Sequence, residues 1–236
     1  MNDYCLVCDS HLKRELTWTN LLFPSALPPI CATCEAKLQP ITGERCRICS
    51  RSLATLNKKF IKEDLCMDCV RWEQDANWAD CLKQNLSIYH YNEFLKEVMA
   101  LFKFRGDYIL AEIFAQTLAK ELEKLSFDFI VAIPLSEERL QERGFNQAEA
   151  LARMAGQKTK DYLKRIHTEK QSKKSRGERL KQKQIFQFQG NHEEIKGKNI
   201  ALIDDIYTTG TTLRQAAKVL KKEGAKRIYS LTLARG

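Results

Sequence analysis

From residue 86 onward, hydrophobic positions alternate between two spacings along the chain. Short strand-like runs are predicted at 86–92, 127–135, 162–168, 198–204 and 227–235. Helical spacing is predicted at 92–104, 108–125, 146–157 and 211–224. The strand predicted at 198–204 contains a continuous apolar run at 200–203, which is typical of a strand covered on both faces. Strands that alternate with helices predict an α/β domain with a mainly parallel sheet flanked by helices.

The first 85 residues contain all nine cysteines, and eight of them form four C-x-x-C pairs. In a reducing compartment such pairs are typical of metal ligands rather than disulfides. Two pairs close one tetrahedral shell, so eight thiolates fit two structural zinc ions with no position left for catalysis. The predicted ligands are Cys5, Cys8, Cys31, Cys34, Cys46, Cys49, Cys66 and Cys69.

Two pairings of the C-x-x-C pairs are compatible with the spacing. Sequential pairing (first with second, third with fourth) is the simpler, and interleaved pairing (first with third, second with fourth) stays open. A region this short has little hydrophobic core, so we expect zinc to supply much of its folding free energy, about 10–16 kcal/mol per site in small zinc-finger peptides. Cys81 is predicted to be a buried free thiol.

The net charge of +9 is confined to one part of the chain, because residues 1–85 contain 11 basic and 11 acidic residues. The differences in cysteine content and charge predict two domains: a cysteine-rich zinc-binding domain at 1–85 and a second domain at 86–236. The basic second domain indicates an anionic partner, either a polyphosphate or a nucleic acid. Its segment 168–190, with seven basic and two acidic residues, is predicted to be a mobile basic loop, either simply solvated or able to order over an anionic ligand.

The sequence contains no apolar run near the roughly 20 residues that a membrane helix requires. The N-terminal stretch MNDYC has neither the basic nor the apolar segment of a secretory signal. We therefore expect no membrane insertion and a cytoplasmic location.

Residues 200–213 read IALIDDIYTTGTTL, a strand followed by two carboxylates, a hydroxyl-rich turn around Gly210 and a helix. The N-terminus of a helix favours a phosphate because its first N–H groups are unpaired and its dipole is positive there. Asp204 and Asp205 would repel that phosphate, so we expect them to bind ribose hydroxyls and Mg²⁺ instead. The pattern predicts a site for a ribose 5-phosphate group. It is not a Walker A loop, since no G-K-[ST] follows a glycine-rich run.

The stretch IALIDDIYTTGTT resembles the 5-phosphoribosyl 1-pyrophosphate (PRPP) signature of type I phosphoribosyltransferases, and departs from it at Tyr207, where an aliphatic residue is usual. Together with FKFRGD (102–107), ERGFNQ (142–147) and the cysteine-rich N-terminus, it resembles the ComF family of competence proteins. The resemblance implies a zinc-ribbon region fused to a phosphoribosyltransferase domain that binds PRPP. It also implies a cytoplasmic role in DNA uptake beside a helicase-like competence ATPase and single-stranded DNA.

The resemblance further implies roles for individual residues. The turn after the strand at 127–135 would hold the pyrophosphate through Arg139, Arg143 and Gly144, with Arg105 as a weaker candidate. Asp204 and Asp205 would bind the ribose and, through it, Mg²⁺. With Arg143, they are the expected catalytic residues. The remaining residues expected to bind PRPP are Tyr207, Thr208, Thr209, Gly210, Thr211 and Thr212.

If the protein is an enzyme, the implied reaction displaces pyrophosphate from C1 of PRPP through a cation-like transition state. The resemblance leaves open both the acceptor and whether transfer occurs. A non-catalytic protein that senses PRPP and binds single-stranded DNA, or an adaptor for a competence helicase, remains the alternative.

Overall fold

The computed structural model describes residues 3–12, 27–104, 107–166 and 185–236. No helix among these residues is both long enough and apolar enough to cross a membrane. The described helices are α1 (Ala32–Glu35), α2 (Met67–Gln74), α3 (Glu93–Phe104), α4 (Glu112–Leu122), α5 (Glu137–Arg143), α6 (Gln147–Met154), α7 (His192–Ile195) and α8 (Thr211–Lys222). The described strands are β1 (Ile61–Lys62), β2 (Leu65–Cys66), β3 (Gln84–His90), β4 (Phe129–Ala132), β5 (Leu163–Arg165), β6 (Phe186–Phe188), β7 (Asn199–Tyr207) and β8 (Arg227–Arg235).

The central sheet has the strand order β3-β8-β7-β4, and every neighbouring pair is parallel. This confirms the predicted α/β class. Strand β7 is longer than predicted, because it stays paired with β8 as far as Tyr207 and Arg235. Its pairing with β4 ends at Ile203. Asp204 and Asp205 therefore lie within their own strand but beyond the end of its neighbour β4.

Residues of β7 alternate between two hydrophobic clusters, one on each face of the sheet. Ile200 and Leu202 belong to one cluster, and Ala201 and Ile203 belong to the other. The second cluster is completed by helices α3, α4 and α6, and the first by helix α8 and strands β5 and β6. Both faces are therefore covered, as the continuous apolar run predicts.

The two halves of the cysteine-rich region pack differently. Cys46, Cys49, Cys66 and Cys69 lie in the same hydrophobic cluster as one face of the sheet. Hydrogen bonds join this half to β3: the Asn85 N–H donates to the Ile48 carbonyl (2.6 Å), and the Ser50 hydroxyl donates to the Asn85 carbonyl (2.8 Å). Of the first four cysteines, Cys5, Cys31 and Cys34 lie in a small separate cluster, and Cys8 is exposed. The second half is thus part of the core of the sheet.

Strands β5 and β6 form a two-stranded antiparallel pair beside the sheet, with Arg165 opposite Phe186. The predicted strand at 162–168 is confirmed over β5. The predicted loop at 168–190 is wrong for its last residues, because the apolar side chain of Phe186 is fully buried and β6 is an ordered strand. Residues 168–184 of that loop lie outside the described residues.

Candidate functional site

The turn after β7 has a conformation that requires glycine. Gly210 is the N-cap residue of α8 and has a φ of +82°, which other residues rarely adopt. A Cβ atom at this position would also collide with the hydroxyl of Tyr207. The backbone of the turn is therefore fixed in a tight loop directly before the helix.

Hydroxyl and N–H groups line the same turn. The Thr209 and Thr211 hydroxyls are 2.9 Å apart, and the Thr211 N–H donates to the Thr209 hydroxyl at 3.4 Å. The first N–H groups of α8 have no carbonyl partner within the helix, as at any helix N-terminus. Such an arrangement is suited to a phosphate group.

The two neighbouring carboxylates have different surroundings. The Asp205 N–H donates to Asp204 Oδ1 at 2.9 Å. Lys103, from the last turn of α3, forms an ion pair with Asp205, and both side chains are more than four-fifths buried. Burial, and then repulsion by Asp205, raise the pKa of Asp204 to about 8. One carboxylate is thus neutralised by a lysine, and the other keeps its proton near neutral pH.

The raised pKa of Asp204 predicts how stability depends on pH. A carboxyl group whose pKa rises from 3.8 to about 8 on folding stabilises the fold fully below pH 4, and that contribution is lost as pH rises through 8. Asp204→Asn keeps the shape but cannot ionise. At pH 8 we expect a higher melting temperature for the variant than for the wild type, by about 2–4 °C for each kcal/mol by which its free energy of unfolding is greater. At pH 5 this difference in melting temperature should be smaller. Thermal unfolding between pH 5 and 8.5 tests this, and a pH-independent difference would contradict the assignment.

A cavity of about 330 Å³ opens beside the acid pair and the turn, which is a suitable size for a small ligand. It brings together residues that lie far apart in the sequence. Its charged and hydroxyl lining consists of Tyr91, Lys103, Arg139, Arg143, Arg165, Asp204, Asp205, Thr208 and Thr212. The cavity therefore combines an acid pair with four cations, an arrangement that can hold a sugar on one side and phosphates on the other.

Arg139 and Arg143, the arginines predicted to hold pyrophosphate, line the same cavity as the acid pair but lie in a different local structure from the one expected. Arg139 and Arg143 are on helix α5, capped by the Ser136 hydroxyl, rather than in an open turn. Arg143 donates to Gln147 Oε1 at 2.9 Å. Gly144 ends this helix with a φ of +76°. It does not line the cavity, and its left-handed conformation turns the chain after Arg143.

Two cations of the cavity were missed by sequence reasoning. Lys103 lies within the motif FKFRGD, in which Arg105 was the predicted candidate. Arg105 lies outside the described residues. Arg165 is on β5, where no neighbouring residue marks it as a ligand. Burial lowers the pKa of Arg165, and the nearby Arg139 adds to the effect. A second anionic group, from a ligand, would relieve this crowding of positive charge.

Tyr207, which departs from the signature, does not face the cavity. Its side chain is 2% exposed and lies behind the turn, with its hydroxyl against Gly210. Among the described residues, that hydroxyl has no hydrogen-bond partner. The guanidinium of Arg235 lies 4.9 Å from the ring centroid. The structure thus places Tyr207 as a support under the turn, rather than in the direct contact with PRPP that we predicted.

The cysteines form two tetrads with sequential pairing. Within each tetrad, the four sulfur atoms lie within 4.8 Å of one another. The interleaved alternative is therefore excluded. The first tetrad consists of Cys5, Cys8, Cys31 and Cys34, and the second of Cys46, Cys49, Cys66 and Cys69. Cys81 is buried and outside both, as predicted.

The tetrads fit a tetrahedral zinc ion. Four sulfurs at ~2.3 Å from zinc would be about 3.8 Å apart. The Cys8–Cys31 sulfur distance is 3.7 Å, and the Cys49–Cys66 distance is 3.6 Å. A backbone N–H, that of Cys66, also donates to the Cys46 sulfur at 3.4 Å, a bond that favours a thiolate. Both tetrads can therefore hold a metal ion, consistent with zinc.

Comparison with known proteins agrees with the fold. The family model for the phosphoribosyl transferase domain matches residues 110–236. Over 235 residues the chain is 40% identical to competence protein ComFC of Bacillus subtilis (strain 168), covering 98% of this chain and 94% of the relative. It is 34% identical to competence protein ComFC of Streptococcus pneumoniae (strain ATCC BAA-255 / R6), covering 98% and 99%.

The parallel sheet, the acid pair and the glycine turn define a phosphoribosyl transferase domain. In front of it lie the two cysteine tetrads, and the similarity to the relatives extends through both regions. The chain belongs to the ComFC family of competence proteins.

Proposed function

We propose that this protein binds PRPP together with Mg²⁺ and acts as a phosphoribosyltransferase-like protein in DNA uptake during natural competence. The observation that carries the proposal is one cavity lined by the acid pair, by Arg139 and Arg143, and by Thr208 and Thr212, the two ends of the turn 208–212 that we call the phosphate turn. The curated relatives are named competence proteins, which supports the biological setting. We place the protein in the cytoplasm, where PRPP and reduced thiols are available.

Each part of PRPP has a matching group in the cavity. The 5-phosphate would bind the N–H and hydroxyl groups of Thr208–Thr212. The ribose hydroxyls would bind Asp204 and Asp205, displacing Lys103 from its ion pair. The pyrophosphate would bind Arg139 and Arg143 on α5. Arg165 would add positive charge on the same side.

In a transfer reaction, these residues would separate charge around C1 of the ribose. The carbon–oxygen bond to pyrophosphate breaks, the bonding electrons leave with the pyrophosphate, and an acceptor nucleophile forms the new bond at C1. Arg139 and Arg143 would stabilise the leaving group, and the carboxylate of Asp205 would stabilise the cation-like sugar. Bound Mg²⁺, for which carboxylates are suitable ligands, would supply further neutralisation of the pyrophosphate.

One observation favours the non-catalytic alternative, a PRPP-sensing protein. Among the described lining residues, the only carboxylates are Asp204 and Asp205, and no histidine lines the cavity. If the ribose occupies both carboxylates, no described carboxylate or histidine in the cavity remains to take a proton from an acceptor. PRPP binding without turnover would then be the function.

Isothermal calorimetry with PRPP and Mg²⁺, followed by an assay of pyrophosphate release, tests the proposal. We expect one PRPP per chain. Release on adding a nucleobase or an oligonucleotide would establish transfer, and binding without release would establish sensing. Absence of PRPP binding would contradict both forms.

We further propose single-stranded DNA and a helicase-like competence ATPase as partners. The net charge of +9, all of it from residues 86–236, supports an anionic polymer as ligand. The basic segment 168–190 is the expected contact, and its residues 168–184 lie outside the described residues. The proposal of an ATPase partner rests on the family resemblance. Exposed residues around the first cysteine tetrad would offer this partner a surface.

A further inference from the structure

The second cysteine tetrad is connected to the phosphate turn through helix α2. Cys66 is the N-cap residue of α2, and Cys69 lies in its first turn, so two of the four ligands hold the start of this helix. Trp72, one turn later, donates its indole N–H to the carbonyl of Thr209 at 3.1 Å. That carbonyl belongs to the phosphate turn itself.

The same helix also holds the first turn of α8. Glu73 forms an ion pair with Arg214 at 3.0 Å, and the Arg214 side chain is fully buried. The guanidinium of Arg214 lies 5.1 Å from the centroid of the Trp72 ring. Helix α2 thus fixes the turn at Thr209 and the helix start at Arg214, on the two sides of Gly210.

A second set of contacts joins the second tetrad to the turn through Arg235 and Tyr207. Arg235 lies 3.9 Å from the sulfur of Cys49 and donates to the Tyr207 carbonyl at 3.3 Å. Its guanidinium stacks on the Tyr207 ring, whose hydroxyl lies under Gly210. A buried arginine next to a cluster of thiolates also offsets the negative charge that such a cluster carries.

We propose that Trp72 is a positioning residue for the 5-phosphate group, and that the second metal centre keeps Trp72 in place. The turn then holds its phosphate-binding shape only while α2 is anchored by the metal ligands Cys66 and Cys69. This inference rests on the proposed function, in which the turn binds the 5-phosphate of PRPP. It makes phosphate affinity depend on the metal and thiol state of the second tetrad.

The variant Trp72→Phe tests the proposal because it keeps an aromatic ring and removes the donor. Loss of one hydrogen bond is expected to weaken the binding of PRPP and of ribose 5-phosphate by about threefold to tenfold. Pyrophosphate, which binds the arginine side, should keep its affinity. Zinc content, measured with a chelating dye, should stay equal to that of the wild type.

The neighbouring indole provides a matched control. Trp78 packs edge-on against Trp72 with ring centroids 5.4 Å apart. The variant Trp78→Phe should bind PRPP and ribose 5-phosphate with affinities within about twofold of the wild type. Glu73→Gln, which weakens the ion pair that joins α2 to Arg214, should repeat the selective loss, and it serves as the second variant if Trp72→Phe is unstable.

Three outcomes separate the inference from the function on which it rests. Unchanged affinity of Trp72→Phe for ribose 5-phosphate would overturn the inference alone. An equal loss of affinity for ribose 5-phosphate and pyrophosphate would also overturn the inference, since such a result would indicate a general loss of structure. If the wild type binds neither ligand, the proposed function itself fails, and the inference fails with it.

Discussion

Replacing Asp204 and Asp205 together with asparagine is expected to abolish PRPP binding, with a loss of at least about 100-fold, while the fold survives. The loss follows because the ribose hydroxyls would lose a charged acceptor at Asp205, worth about 1.5–3 kcal/mol, and a hydrogen bond of about 0.5–1.5 kcal/mol to the carboxyl group of Asp204. The fold should survive because asparagine has the same shape, and because burial and repulsion already make the Asp204 carboxylate costly to ionise. Calorimetry with PRPP and Mg²⁺ measures the loss, and thermal unfolding checks the fold.

A conservative change elsewhere serves as the control for the acid pair. Glu149 forms an exposed ion pair with Arg153 on α6, and Glu149→Gln should bind PRPP as the wild type does. Full affinity in the double asparagine variant would show that the sugar does not bind at Asp204 and Asp205. The assignment of the cavity would then be wrong.

Loss of the second metal centre is expected to have the largest effect on stability. Its four cysteines are buried in the cluster that covers one face of the sheet. Cys49→Ser would remove one ligand and leave a polar hydroxyl among apolar side chains and thiolates, so we expect one zinc ion less and a protein that is largely unfolded or insoluble. Zinc content and thermal unfolding measure this outcome.

The first metal centre gives the matched comparison. Cys8 is exposed, and its tetrad packs in a small cluster with Leu12 and Ile30. Cys8→Ser should lose the first zinc ion while the sheet and PRPP binding remain. Equal damage from Cys8→Ser and Cys49→Ser would contradict the different roles that the packing assigns to the two centres.

The sequence predicted the features that depend on neighbouring residues. The spacing of the C-x-x-C pairs identified all eight residues that form the tetrads. The apolar run, acid pair, glycine and helix of residues 200–213 are consecutive, so their strand, turn and helix could be predicted directly. The helical spacing predicted at 146–157 begins at Asn146, whose side chain accepts the Ala148 N–H at 3.0 Å.

The features that the sequence did not predict depend on tertiary packing. Lys103 reaches the acid pair from another helix, and Arg165 reaches the cavity from a strand outside the central sheet. Trp72 and Arg235 connect the turn to the second tetrad across more than 100 residues of sequence. No local pattern marks such residues, because the surroundings that give them a role form only when the chain folds. Either pairing of the cysteines satisfied the spacing, for the same reason.

A crystal structure of the protein soaked with PRPP and Mg²⁺ tests the central claim most directly. We expect electron density for the 5-phosphate at Thr209–Thr212, for the ribose hydroxyls against Asp204 and Asp205, and for the pyrophosphate beside Arg139 and Arg143. Density for PRPP at any other place, or a cavity that stays closed to it at saturating concentration, would contradict the account.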